Sequence, residues 1–284
     1  MTMNNKNTLF KEWDIKNIPG DKNKGGGFVM TICAKRFSGK THICNWVFDA
    51  IKDRYDKNNI YVFSKTANCN MEYPYQFTIE KNRKDNYDNN FLHSLINDQK
   101  ELKMQQKKGL TTEIKNVLII LDDLLADDDI RKIKNSAILE LACNSRHIDI
   151  SVIFITQLLS AQYYPVSIRK NTDVFIAFKI YDESTLKMAS KSFLSLLGST
   201  RGEEVINDIT NREDYMAIIV ENYRSTAIKD YQDFVFYYKA PKNLPNFTSF
   251  INKSNYKTNN IILNNNDVHF DFKFAGDEDE LFFI

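Results

Sequence analysis

The 284-residue chain carries no excess charge of either sign: 38 Lys and Arg stand against 37 Asp and Glu, a formal net charge of +1. Nothing global marks it as a partner of nucleic acid or of an anionic membrane, although a motor needs only a local basic path. It has no cysteine pattern. Cys33, Cys44, Cys69 and Cys143 form no C-x-x-C pair and no Cys/His cluster with metal spacing. The expected state is reduced, mostly buried thiols in a cytosolic protein. No apolar run approaches the ~20 residues of a spanning helix, and "MTMNNKNTLFKEWDIKN" has no apolar signal core. A soluble intracellular protein without stable membrane insertion is expected. There is no internal repeat. One glycine is also missing. "CAKRFSGKTH" (33–42) ends like a phosphate-binding loop, but Ala34 stands where G-x-x-x-x-G-K-[ST] asks for its first glycine.

What is present alternates. The 43% hydrophobic residues suffice for a sizeable core. Short apolar runs at 28–34, 60–64, 117–121, 151–156 and 173–180 read as buried strands. Between them lie segments with helical spacing: 40–55, with Ile43, Trp46, Val47, Ala50 and Ile51 on one face; 91–109, closed by Gly109; and "DDDIRKIKNSAILELACNSRHID", with Ile133, Ala137, Ile138 and Leu141 inward. A polar helical stretch spans roughly 182–208, and runs at 215–220 and 233–238 read as two further strands. The expected fold is α/β, a mostly parallel sheet with helices on both faces and additional C-terminal strands. Residues 1–27, ending in Gly25-Gly26-Gly27, read as a loosely held arm with a flexible joint. Residues 28–250 read as the core domain, and 65–90 as a polar surface excursion. An Asn-rich linker and a tail ending "DEDELFFI" fill 251–284.

Strand, loop, helix is the context the phosphate loop demands. Backbone N–H groups of the loop and the positive end of the helix would face phosphates. Ala34, Ser38 and Gly39 belong to that cradle, with Gly39 admitting close backbone approach. Lys40 would bridge the β- and γ-phosphates of ATP, and the Thr41 hydroxyl would hold Mg²⁺. Position 34 still belongs to the strand exit, so φ at Ala34 is expected to be negative. "VLIILDD" places two acids at the end of the most hydrophobic strand. Asp122 would orient metal-bound water, and Asp123 would sit near the attacking water and polarise it. Asp127, Asp128 and Asp129 read as the cap of the next helix. Gln157 ends the following strand, where an amide senses the γ-phosphate or holds the lytic water. Arg146 and Arg169 are two candidates for an arginine finger, and one sequence does not choose between them. Lys35 and Arg36 read as solvent-facing. Lys100, Lys103, Lys107 and Lys108 read as a solvated helix face before a DNA contact.

Taken in order, "AKRFSGKT", "LIILDD", "LACNSRHIDISVIFITQ" and "IRKNTDVFIAFKI" resemble the FtsK–HerA superfamily of P-loop translocases. Within it they are most similar to the genome-packaging ATPases of nucleocytoplasmic large DNA viruses and virophages. The resemblance covers about 28–220 and implies a RecA-like P-loop NTPase core. It also implies a homo-oligomeric ring that couples ATP hydrolysis to pulling double-stranded DNA into a preformed capsid. The site would lie in the host cytoplasm, at a viral factory or on the virion. By the same resemblance Lys40 and Thr41 match the loop pair, Asp122 the Mg²⁺-side acid, Asp123 the catalytic acid, Gln157 the sensor, and Arg146 and Arg169 arginines near subunit contacts. Ala34 departs from Gly, and Asp123 departs from the more usual Glu, one methylene longer. Two other readings stay open: a different P-loop DNA motor, helicase-like or for plasmid transfer, and a nucleotide-binding assembly scaffold with little turnover, which the shorter acid keeps alive. The apolar end of the acidic tail reads equally as a capsid- or membrane-docking segment and as a free tail.

Overall fold

The structure, a computed structural model, describes residues 10–124, 136–160, 164–223 and 230–253. Its centre is a nine-stranded sheet. In chain order the strands are β1 (Lys11–Glu12), β2 (Val29–Cys33), β3 (Ile60–Ser64), β4 (Arg83–Lys84), β5 (Val117–Asp122), β6 (Ile150–Thr156), β7 (Val174–Ala177), β8 (Ala217–Glu221) and β9 (Val235–Tyr238). The spatial order is β1-β9-β8-β7-β2-β6-β5-β3-β4. Every pairing is parallel except those of β8 with β7 and β9. The expected α/β architecture with extra C-terminal strands is therefore present.

The uninterrupted apolar runs follow from burial on both sheet faces. In β5, Val117, Ile119 and Leu121 enter one core, while Leu118 and Ile120 enter the other. The first core is roofed by α2 (Asn89–Lys107), α3 (Ala137–Asn144), α4 (Val166–Asn171), α5 (Glu183–Phe193) and α6 (Ser199–Thr210), through residues such as Leu92, Leu141, Ile168, Phe193 and Ile206. The second is covered by α1 (Lys40–Ile51) and α7 (Thr248–Asn252), through Ile43, Val47, Phe48 and Phe250. The helical stretch read at 182–208 is two helices. Gly198, at φ 77°, ends a 3₁₀ turn over Ser195–Leu197 and starts the second helix. The helix before β6 also stops early, at Asn144. Arg146 and His147 lie in the 3₁₀ turn Ser145–Ile148 that follows. Asp127, Asp128, Asp129 and Ile133 lie outside the described residues. Cys33 and Cys44 are buried but Cys69 and Cys143 are exposed, so half the thiols depart from the expectation. No described helix is long and apolar enough to cross a membrane.

Two segments differ from their sequence reading. Residues 10–27 are not loosely held. Phe10, Trp13 and Ile18 are buried, β1 adds a parallel edge to β9, and Trp13 Nε1 donates to Glu221 Oε1 at 2.8 Å. The glycine triplet is a close-packed contact rather than a joint. Gly26 N donates to Asp149 Oδ1 at 2.6 Å, and a Cβ on Gly27 would stand 1.7 Å from the Ile150 carbonyl oxygen. A backbone oxygen at the start of β6 has nowhere to go. Gly27→Ala should therefore destabilise the fold by about 3 kcal/mol, the upper range for overpacking. In a domain of this size that is about 6–12 °C in melting temperature, readable by thermal denaturation.

The second segment is 65–90. Tyr75, Phe77 and Thr78 are buried. Phe77 stacks on Phe48 of α1 with ring centroids 3.9 Å apart, and Phe247 and Phe250 close edge-on around Phe48. Arg83 stacks on Tyr73 and donates twice to the Thr78 carbonyl, while Asn82 Nδ2 donates to the Asn58 and Ile60 carbonyls, pinning β4 beside β3. The surface excursion is one wall of the second core. The basic stretch on α2 is partly spent within the chain: Lys103 pairs with Asp149 at 2.5 Å, and Lys100 pairs with Glu140.

Candidate nucleotide site

β2, β5 and β6 are neighbours, so their carboxyl ends meet at one edge of the sheet. That edge is where open α/β sheets bind ligands. The loop leaving β2 is held at its root by Ala34 N, which donates to the Thr156 carbonyl at the end of β6 at 3.0 Å. Ala34 is buried and is not among the residues with positive φ, as expected of a strand exit. The left-handed positions of the loop are Phe37, at φ 62°, and Gly39, at φ 96°, which starts α1. Ser38 Oγ donates to the Lys35 carbonyl and tightens the turn. Phe37 points out, 95% exposed.

Lys40 reaches back under the loop. Its Nζ donates to the carbonyls of Ala34 at 2.9 Å and Lys35 at 3.0 Å. Burial pushes its pKa down, while Asp123 and Asp122 work against that shift. Both carboxylates are thus close enough to act on the ammonium. Burial also pushes Asp122 up, with the like charge of Asp123 adding to it; bonds from Tyr75 and Ser64 and the charge of Lys40 oppose. Asp122 ends β5, and its Oδ2 accepts from Tyr75 Oη at 2.7 Å and from Ser64 Oγ at 3.2 Å. Asp123 leaves the strand in the left-handed region, at φ 55°, with its N–H on the Ile155 carbonyl at 3.0 Å. That turn sends the two neighbouring carboxylates different ways. Asp123 Oδ2 accepts from the side-chain amide of Gln157, just past β6. Loop, acid pair and amide, read from three separate segments, form one constellation: Lys40 within electrostatic reach of both acids, Asp123 on Gln157.

The two arginines are elsewhere. Arg146 donates to Asp173 Oδ1 at 2.6 Å and to Asn171 Oδ1 at 3.2 Å. Asp173 in turn accepts from Val29 N at 2.8 Å, at the amino end of β2, so this pair sits on the opposite edge of the sheet from the loop. Arg169, in α4, is buried, and its guanidinium donates to the carbonyls of Leu159 and Tyr164. Neither joins Lys40, Asp122, Asp123 and Gln157 within the chain.

A family model described as poxvirus A32 protein matches residues 21–231, most of the chain. The chain belongs to that family. It is a viral genome-packaging ATPase by family, as the four quoted segments led one to expect. No protein with curated function matches it. Among solved structures, the A32-family chain is similar to the pCW3 conjugation coupling protein TcpA in its monomer form with ATPgS. That match has a TM-score of 0.52 at 15% identity and covers 81% of this chain and 69% of that one. The genome packaging NTPase B204 from Sulfolobus turreted icosahedral virus 2, in complex with AMPPCP, matches at TM-score 0.49 and 18% identity, over 76% of this chain and 98% of that one. The TcpA likeness supports the P-loop NTPase fold.

Two residues of this A32-family site escape the sequence reading. Tyr75 is fully buried, and its hydroxyl touches Asp122 and is acted on by the Thr41 hydroxyl. Burial, then the charge of Asp122, pushes that phenol well above the usual tyrosine range, so it stays a proton donor. Asn45, one turn into α1, donates from Nδ2 to the Thr41 carbonyl at 2.8 Å and to the Pro74 carbonyl at 3.0 Å. The signal was the alternation Tyr73, Tyr75, Phe77, which is a period of two inside an otherwise polar stretch.

Proposed function

We propose that the chain is one subunit of an ATP-driven ring that moves double-stranded DNA into a preformed capsid. The observation that supports this most is the meeting of Lys40, Asp122, Asp123 and Gln157 at the carboxyl ends of three adjacent strands. The donor set fits Mg²⁺–ATP. A partly desolvated ammonium next to a helix N-terminus suits phosphate, and a hydroxyl with a carboxylate suits a hard divalent cation. Ala34, Ser38, Gly39 and Lys40 hold the phosphates, while Thr41 and Asp122 hold Mg²⁺. Bound by Thr41 and Asp122, Mg²⁺ would supply positive charge beside the transferring phosphoryl group. Asp123 takes the proton of the attacking water, and Gln157 fixes the Asp123 carboxylate and the water against it. The arginine that completes the site comes from a neighbouring subunit. Arg146 serves only by leaving Asp173, and Arg169 only by leaving its two carbonyls. The tail at 251–284 is the candidate contact with capsid protein, and the viral factory or virion is where the ring works.

The test is phosphate release from ATP with and without DNA. A packaging motor should be stimulated about 10-fold or more by duplex, a small part of the ~10³–10⁵ that a completed site adds. Stimulation by single strands only would identify another DNA motor. ATP binding without phosphate release, with duplex present, would identify a scaffold.

A further inference from the structure

The segment after β3 supplies a residue to the phosphate-loop helix and the acid at once. Thr41 begins α1 and Asp122 ends β5. Tyr75 stands between them: its Oη donates to Asp122 Oδ2 at 2.7 Å, and the Thr41 hydroxyl acts on the same phenol. The phenol is not free to swing away. It is fully buried, it meets Tyr73 and Phe77 edge-on at centroid distances of 6.1 Å, and Phe77 is stacked on Phe48. The preceding residue is tied to α1 as well, because Asn45 bridges the carbonyls of Thr41 and Pro74.

We propose that Tyr75, held by Asn45, is the positioning residue of the metal site, fixing Thr41 and Asp122 relative to each other before a divalent cation arrives. This rests on the Mg²⁺–nucleotide reading above. The phenol proton goes to Asp122. The phenol oxygen keeps lone pairs that accept from Thr41, which spends the threonine proton on Tyr75 and leaves the threonine oxygen free to accept or ligate. Both bonds from Tyr75 and Ser64 end on Asp122 Oδ2, so Oδ1 remains for metal-bound water. Groups that orient metal ligands in this way commonly carry 10–100-fold in metal affinity.

Tyr75→Phe tests it, since the ring stays and only the hydroxyl goes. Binding of a fluorescent ATP analogue is followed first in EDTA and then against rising Mg²⁺. The expected result is metal-free binding within about 2-fold of wild type, with the Mg²⁺ concentration for half-maximal tightening raised about 10-fold. Asn45→Ala should shift it the same way by about 3-fold, and it stands in if Tyr75→Phe does not fold. Wild-type Mg²⁺ dependence in both variants would overturn the positioning role and leave the nucleotide reading intact. No Mg²⁺ dependence in the wild-type protein would overturn both.

Discussion

Lys40→Ala should bring ATP hydrolysis to the background of the assay, a loss of about 10³-fold, with the fold intact. The size follows from what the ammonium does. Its charge acts on both Asp122 and Asp123, and it is partly desolvated there. A preorganised donor aimed at developing charge is worth about 10²–10³ on its own, and a full positive charge in a site of reduced dielectric is worth more. In the free protein Nζ holds the Ala34 and Lys35 carbonyls. Their loss loosens the loop, but Lys35 is an exposed residue and its carbonyl keeps the Ser38 hydroxyl as donor. The stability cost should stay near 2 kcal/mol, about 1 kcal/mol net for each of the two hydrogen bonds. Phosphate release and circular dichroism on the same sample check both halves. Turnover at the wild-type rate in a folded Lys40→Ala protein would remove the assignment of this loop.

The sequence disclosed the site's ends more readily than its walls, and the reason is physical. A phosphate loop, an acid pair and an amide each follow a run apolar on both faces. A parallel strand buried on both sides brings whatever follows it to one edge. The same rule shows why the two arginines lie away from the loop within the chain. Arg146 precedes β6 and Arg169 precedes β7, and residues that precede parallel strands lie toward the amino edge, away from the loop. In Arg146 this is borne out by its bond to Asp173, whose partner is the first residue of β2. Tyr75 was hidden differently. Its neighbours are polar, and no run of apolar residues marks it. Only three aromatics spaced by two betray a buried edge, and which carboxylate the phenol meets depends on packing across Phe48 and Phe77. Trp13 is a parallel case: one of two aromatics in a polar arm, paired with Glu221 of β8, a residue 208 positions away.

Asp123→Asn should keep ATP binding within about 3-fold and cut hydrolysis by about 10³-fold, inside the 10²–10⁴ range for a general base. Asn tolerates the left-handed backbone that Asp123 occupies, φ 55°, and its amide still meets Gln157, so the loss would report the charge alone. The same backbone bears on the shorter acid. A residue held in this region favours Asp or Asn over longer side chains, which forfeit the local bonding that makes the region tolerable. Asp123→Glu therefore lengthens the reach by one methylene but strains the turn and moves the carboxylate off Gln157. It should hydrolyse ATP more slowly than wild type, not faster, and melt a few degrees lower, about 1 kcal/mol at the lower bound for a side chain in this conformation. Faster hydrolysis by Asp123→Glu would mean that reach, not backbone geometry, limits this acid. Equal hydrolysis by Asp123→Asn and wild type would place the base elsewhere in the site. The expected order, wild type above Glu above Asn with ATP bound in all three, ties turnover to the turn at the end of β5: the chain uses aspartate there because the backbone that separates the two acids suits no longer one.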